Sequence, residues 1–286
     1  MPSAAFDVSL PGTPTSCVVF ASPHSGRDYS WSFMRKTVLN EHAIRSSEDA
    51  FVDLLFECAP HFGAAFIKAG APRAYVDLNR ARDELDPALI EGVRRAGHNP
   101  RIASGLGVIP RVVANGRAIY RGKMTVHEAQ ERIVQYWEPY HKRLQSLLDA
   151  AHTRHGQTVL IDCHSMPHEA MNGVARSGMR RPDVVLGDRF GAAASGDVVD
   201  RTEEAFADAG FVVTRNTPFA GAYITQAYGR PAKGQHAVQV EIDRSLYMNE
   251  QLIRPNGDFE AVQAAIRDVV QKVARIGEGQ VPLAAE

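Results

Sequence analysis

The chain has 286 residues, of which 44% are hydrophobic, 23% charged and 8% aromatic. That is an ordinary globular composition, which supports a sizeable core and argues against disorder. With 32 Lys+Arg against 33 Asp+Glu the formal net charge is -1, so there is no general attraction to nucleic acid or to an anionic membrane.

No run approaches the roughly 20 apolar residues of a membrane helix. The opening MPSAAFDVSLPG has no basic segment followed by an apolar one, so no secretory signal is read. The 3 cysteines, Cys17, Cys58 and Cys163, form neither a paired framework nor a C-x-x-C, which suits a reducing compartment. The expectation is a soluble cytoplasmic protein.

In chain order, residues 1–16 read as an irregular lead-in. A first strand covers Val18–Ala21 and stops at Ser22-Pro23-His24-Ser25-Gly26. Ser46 to His61 reads as a helix with an apolar stripe of Phe51, Leu54, Leu55 and Cys58. Ser46 or Ser47 caps it, and Glu48 and Asp49 lie in the first turn, where negative charge suits the helix dipole. Ala64–Lys68 is a second strand, and Arg73–Arg80 is strand-like. Residues 81–123 are rich in Gly, Arg and Pro with weak periodicity, and a loop that long in a compact domain is usually functional. From Thr125 to His155 the pattern is helical, with a capping box at Thr125 and Glu128 and an interruption near Pro139. Strands follow at 158–162, 183–187, 211–214 and 236–242, with helices at 196–209 and 259–276. Strands alternating with helices predict an α/β fold, a mixed, mostly parallel sheet flanked by helices. Neither a repeat nor a low-complexity linker is visible, so one domain over 1–286 is expected.

Two apolar runs end on a histidine, Val18–His24 and Val159–His164. In open α/β sheets, ligands gather at the carboxyl ends of the strands. His24 and His164 are therefore half of a metal site or half of a general-base pair. A metal site needs a carboxylate to complete the shell. Arg27 stands where an H-x-x-E acid would be, so the acid comes from elsewhere, and Glu48 and Asp49 are the candidates. Glu241 lies at the end of the apolar strand Val238–Ile242. Burying a carboxylate there is costly unless it is paired or its pKa is raised, as for a general base. Asp243 shares its face and competes for the role. Arg73, Asn79, Arg80, Arg82, Arg111, Arg117, Arg121 and Lys123 form a cationic set. Asn79-Arg80 suits a small carboxylate, held by the guanidinium fork and an amide. No aromatic residues are interleaved to stack nucleic-acid bases. Tyr223, in a turn-rich loop, is placed to donate to an oxyanion. Cys163 reads as core, because adjacent strand residues point to opposite faces and His164 does not activate it. No phosphate-binding glycine signature is present.

Several segments, in order, carry a resemblance over most of the chain. They are Ser22–Gly26, the acid-bearing helix near Asp49, Tyr75–Arg80, Gly105–Arg111, Tyr120–Lys123, Pro139–His141, Asp162–Met166, Asp183–Asp188, Pro218–Thr225 and Gln239–Met248. This ordered set resembles the N-formylglutamate amidohydrolase (N-formylglutamate deformylase) family. The resemblance implies a zinc carboxypeptidase-like hydrolase with a phosphorylase/hydrolase-like α/β fold. It implies zinc, or another divalent transition metal, on His24, His164 and Asp49, with Glu48 as the alternative ligand. Glu241 is implied as the base and Asn79 and Arg80 as the carboxylate anchor.

The function expected is hydrolysis of N-formyl-L-glutamate, or a similar N-acyl amino acid, to glutamate and formate. The resemblance associates such a reaction with histidine degradation, and the sequence leaves the pathway open. Zinc and a donor such as Tyr223 or an arginine would hold the oxyanion. A dicarboxylate substrate needs a second cationic anchor, for which Arg82, Arg111 and Arg244 compete. Two other readings stand beside this one. The first is a related N-acyl amino acid deacylase or small-peptide carboxypeptidase. The second is a non-catalytic carboxylate-binding protein on the same fold. The only partner expected is a small-molecule carboxylate, with no nucleic acid and no membrane.

Overall fold

The structure is a computed structural model that describes residues 1–94, 99–174 and 180–278. Its strands are β1 (Phe6–Ser9), β2 (Val18–Ser22), β3 (Ala65–Ala69), β4 (Thr158–Met166), β5 (Val184–Gly187), β6 (Val213–Arg215), β7 (Gln235–Asp243), β8 (Met248–Asn249) and β9 (Arg254–Pro255). Its α-helices are α1 (Trp31–Met34), α2 (Glu41–Ile44), α3 (Val52–Phe56), α4 (Pro100–Ala103), α5 (Val126–Arg132), α6 (Glu138–His155), α7 (Gly196–Asp208), α8 (Tyr223–Tyr228) and α9 (Phe259–Val273). The chain forms two compact units. The first comprises Met1–Asp7, Pro23–Ala50 and Lys68–Arg143, and the second Val8–Ser22, Phe51–Ile67 and Leu144–Glu286. Among the described residues, no helix is long and apolar enough to cross a membrane.

The second unit carries the central strands of a seven-stranded sheet of order β1-β3-β2-β4-β7-β5-β6. The two apolar runs become β2 and β4, buried along their whole length, as inner strands of a sheet covered on both faces are. They pair in parallel from Val18↔Val159 to Ala21↔Asp162. β4 pairs in parallel with β7 from Thr158↔Gln235 to Met166↔Asp243, which sets His164 beside Glu241. β5 is antiparallel to β7 and parallel to β6. The sheet is therefore mixed and mostly parallel, with helices flanking it, as the alternation of strands and helices predicts. α9 packs against α3 and α7. Its Phe259 ring lies 6.2 Å from Phe51 in an edge-to-face arrangement, and Gln263 donates to the Leu54 carbonyl.

The first unit is built of short helices and turns around buried Arg132. This guanidinium donates to the Tyr75 carbonyl, the Tyr120 hydroxyl and Glu128, and lies 4.1 Å from the Tyr75 ring centroid. Removing one of these partners would leave a buried charge uncompensated, which is costly.

Four local expectations change. Phe6–Ser9 forms β1 where an irregular lead-in is expected. The helix expected over 46–61 is broken into a 3₁₀ turn (Arg45–Ser47), an extended acidic segment, α3 and a second 3₁₀ turn (Ala59–Phe62). The Asp49 N–H bonds the His24 carbonyl instead of a helical one, and Phe51 is left-handed at φ 66, which no α-helix passes through. Arg73–Arg80 is a series of turns, because the Tyr75 and Val76 N–H groups bond back to the Pro72 carbonyl and Asp77 accepts the Asn79 N–H. Thr125 caps α5 by accepting the Glu128 N–H, but the Glu128 carboxylate goes to Arg132 and Lys36, so only half of the capping box forms. The interruption near Pro139 is a π-helical stretch, Ile133–Trp137.

Candidate active site

β2 ends at Ser22, and the loop after it carries His24. Gly26 lets that loop approach closely, since a Cβ there would lie 2.1 Å from the Ala71 carbonyl oxygen. His24 is buried, with Nδ1 3.4 Å from Asp49 Oδ2 and Nε2 2.7 Å from Asp77 Oδ1. Asp77 also accepts from Arg73 Nε and from the Asn79 N–H. Burial alone would raise the Asp77 pKa, but His24, Arg73 and Arg80 hold it well below the usual carboxylate range. Asp77 is therefore a fixed negative charge behind the imidazole.

The adjacent acids separate cleanly. Glu48 accepts both Arg45 Nε (2.9 Å) and Nη2 (3.0 Å) and the Tyr29 hydroxyl (3.0 Å). Asp49 instead faces His24. Asp49 and Glu48 diverge because the segment is extended, not because they lie on different sides of a helix turn.

In the second unit, His164 on β4 is buried, with Nε2 3.0 Å from Asp162 Oδ2. Residues i and i+2 of a strand share a face, so this contact is built into the strand itself. Buried His24, Asp49 and His164 each offer a ligand atom, and these atoms lie within 4.8 Å of one another. Two imidazoles and a carboxylate are the donor set of a catalytic zinc site, which leaves a position for water. Each imidazole places its other nitrogen on an aspartate, the arrangement that fixes tautomer and ring orientation in metal-ligating histidines. These residues fit a divalent transition metal.

Glu241 is half-buried on β7 beside His164. Its Oε1 accepts from Gln239 Nε2 at 2.9 Å, and Gln239 Oε1 accepts the Ala222 N–H at 3.1 Å. A backbone N–H only donates, so the Gln239 amide has one consistent orientation. The network joins Glu241 to the loop from which Tyr223 opens α8. Gly187 lets that loop lie against β5, since a Cβ there would meet the Gly221 nitrogen at 2.6 Å. The rival acid Asp243 accepts from His168 Nδ1 (2.7 Å) and the Ser245 N–H. Buried Cys163 has its thiol pushed well above the ordinary pKa, first by burial and then by Asp162. It is core, as its strand position suggests.

Among the cationic candidates, Asn79 and Arg80 are buried. Arg80 spends Nε on the Leu106 carbonyl and Nη1 on the Asn79 carbonyl, and Nη2 has no hydrogen bond to any described residue. Buried Arg244 donates to the Ser165 hydroxyl and carbonyl, next to His164. Arg111 is tied to Asp86 at 2.8 Å and braces its own loop. Arg82 is not drawn into any of these groups: its side chain is 60% exposed and pairs with Glu138.

Residues 16–248 match the family model for N-formylglutamate amidohydrolase. The chain belongs to this family. It is 28% identical over 270 residues to the N-formylglutamate deformylase of Pseudomonas aeruginosa, covering 91% of this chain and 93% of the relative. It is 29% identical over 240 residues to the N-formylglutamate deformylase of Pseudomonas putida, covering 82% of each. The crystal structure of N-formylglutamate amidohydrolase from Ralstonia eutropha superposes with a TM-score of 0.88 at 34% identity, covering 95% of this chain and 97% of that one. Family membership makes the chain an amide-hydrolysing enzyme. A gene product of Agrobacterium tumefaciens, 16% identical with a TM-score of 0.64, shares the fold.

Three polar residues of this family member escape sequence reasoning. Asp162 carries a signal, because D-x-H on a strand places acid and imidazole on one face. Gln239 carries the same i, i+2 signal towards Glu241. Asp77 carries none, since it is 53 residues from His24.

Proposed function

We propose that this enzyme is a metal-dependent deformylase of N-formyl-L-glutamate, adding water across the formyl amide to release formate and glutamate. The observation that carries this reading is the buried His24, Asp49 and His164 set, with an aspartate behind each imidazole. The relatives from both Pseudomonas species support the substrate.

In this reading His24, Asp49 and His164 hold zinc. A bound zinc supplies Lewis acidity and lowers the pKa of a bound water towards about 7. Asp77 and Asp162 keep the two imidazoles oriented. Glu241 takes the proton of the attacking water and returns it to the departing amine. Asp243, held by His168 and Ser245, is less free for that task. Tyr223 donates to the oxyanion of the tetrahedral state. The Arg80 fork and Asn79 bind one substrate carboxylate, and Arg244 is the better placed second anchor. Arg82 and Arg111 are already paired with Glu138 and Asp86. The free cysteines suit a reducing, cytoplasmic setting.

A substrate panel tests the reading. N-formyl-L-glutamate, N-acetyl-L-glutamate, N-formyl-L-leucine and a dipeptide ending in glutamate are offered to the purified protein, and both formate and free amine are measured. The expected result is formate and glutamate from the first compound, well ahead of the others. Preferred cleavage of the acetyl compound or the dipeptide points to the deacylase or carboxypeptidase reading. Saturable binding without turnover of any compound points to a carboxylate-binding protein.

A further inference from the structure

The segment that carries Asn79 and Arg80 is a turn, outside any strand or helix, so its carbonyls have no ladder partners and must be satisfied otherwise. Two of them are met by ring nitrogens from one helical segment. Trp137 Nε1 donates to the Arg80 carbonyl at 2.9 Å, and His141 Nε2 bonds the Leu78 carbonyl at 2.9 Å. These carbonyls flank Asn79. The two rings lie tilted at 35° to each other with centroids 3.9 Å apart.

Indole N–H is only a donor and a carbonyl is only an acceptor, so His141 must carry its proton on Nε2. Burial also pushes the His141 pKa down to about 4, which keeps the ring neutral. The presentation depends on the π-helical stretch. Trp137 closes it and His141 follows four residues later, with Pro139 between them. Proline lacks an N–H and its ring crowds the carbonyl four residues back, which falls inside the widened turn. Packing alone would be served by Phe and Leu here. Two ring donors on carbonyls either side of one residue fix a backbone. Arg80 adds to the same frame, because its Nη1 binds the Asn79 carbonyl and its Nε the Leu106 carbonyl.

We propose that Trp137 and His141 are positioning residues that clamp the Asn79–Arg80 backbone and so aim the Arg80 guanidinium at the substrate carboxylate. This inference rests on the reading of Arg80 as the carboxylate anchor.

The test is steady-state hydrolysis of N-formyl-L-glutamate, with L-glutamate as competitive inhibitor, by wild type, Arg80→Ala, Trp137→Phe, His141→Ala, His141→Gln and the Trp137→Phe/Arg80→Ala double variant. Loss of a charged anchor raises KM about 100-fold or more, while loss of one clamp bond raises KM and the glutamate inhibition constant about 5- to 10-fold with kcat held within about threefold. Gln at 141 offers a donor again and is expected to bring KM back to within about twofold of wild type. Since Trp137 acts through Arg80, the double variant is expected to bind no more weakly than Arg80→Ala. Trp137→Phe keeps a buried ring and removes only the N–H, so the test survives a folding failure of His141→Ala. If Arg80→Ala leaves KM unchanged, the anchor reading falls and the clamp with it. If Arg80→Ala raises KM but Trp137→Phe and His141→Ala match wild type, or lower only kcat, the clamp alone is overturned.

Discussion

His141 gives the structure an acid-sensitive point whose size can be worked out. Its ring is buried and bonds the Leu78 carbonyl, and burial moves its pKa from 6.5 to about 4. The unfolded chain therefore binds more protons at this position throughout the window between those values. Stability is fully present above about pH 6.5 and falls as the pH drops towards about 4, below which the loss levels off. Integrating the proton linkage from about pH 8 to about pH 5 gives a loss of about 2 kcal/mol from this one residue. The perturbation is His141→Gln, which cannot protonate. Urea unfolding of wild type and variant, both treated with chelator so that metal does not contribute, is measured at about pH 8 and about pH 5. The pH-induced loss in wild type is expected to exceed that in the variant by about 2 kcal/mol, whatever the other titrating groups contribute to both. Equal losses in the two proteins would mean that His141 accepts a proton in the folded state and is no acid-sensitive point.

Three further predictions concern the candidate site. Glu241→Gln is expected to retain metal, measured by elemental analysis after dialysis, while kcat for formate release drops by about 10²- to 10⁴-fold, the range of a general base; full activity in this variant removes Glu241 from the role. His24→Ala and His164→Ala are each expected to lose tight zinc binding, whereas Glu48→Gln keeps it and costs stability, because its carboxylate serves Arg45 and Tyr29; competition with a chromophoric chelator reads the affinity and urea titration the stability. Asp162→Asn is expected to weaken zinc by about 10- to 100-fold without removing a ligand, and an unchanged affinity in the same competition would dismiss it as an orienting group.

What was legible in the sequence depended on local pattern. β2, β4 and β7 stand out because each carries a short apolar, β-branched run of the kind a buried strand needs, and β2 and β4 deliver His24 and His164 at or just beyond their ends. The failures lie where a long-range backbone bond overrides a local preference. The stretch from Ser46 has a helical stripe, yet the His24 carbonyl captures the Asp49 N–H and a left-handed Phe51 breaks the run. That break turns Asp49 towards His24, so the acid facing the imidazole sits on an extended segment and not on the expected helix. Tyr75–Arg80 is β-rich in composition, but Pro72 and Asp77 close it into turns. Asp77, Trp137 and His141 act at separations of 53, 57 and 63 residues from their partners, and no periodicity reports such pairings.

A metal-dependent deformylase built on His24, Asp49 and His164 can be followed in one preparation through three states. Zinc content and formate release from N-formyl-L-glutamate are measured as purified, after chelation, and after zinc is restored. The expected result is about one zinc per chain in the active form, formate release that vanishes on chelation, and its return with zinc. Undiminished formate release from metal-free protein would contradict the metal role, and zinc-loaded protein that releases no formate would contradict the substrate.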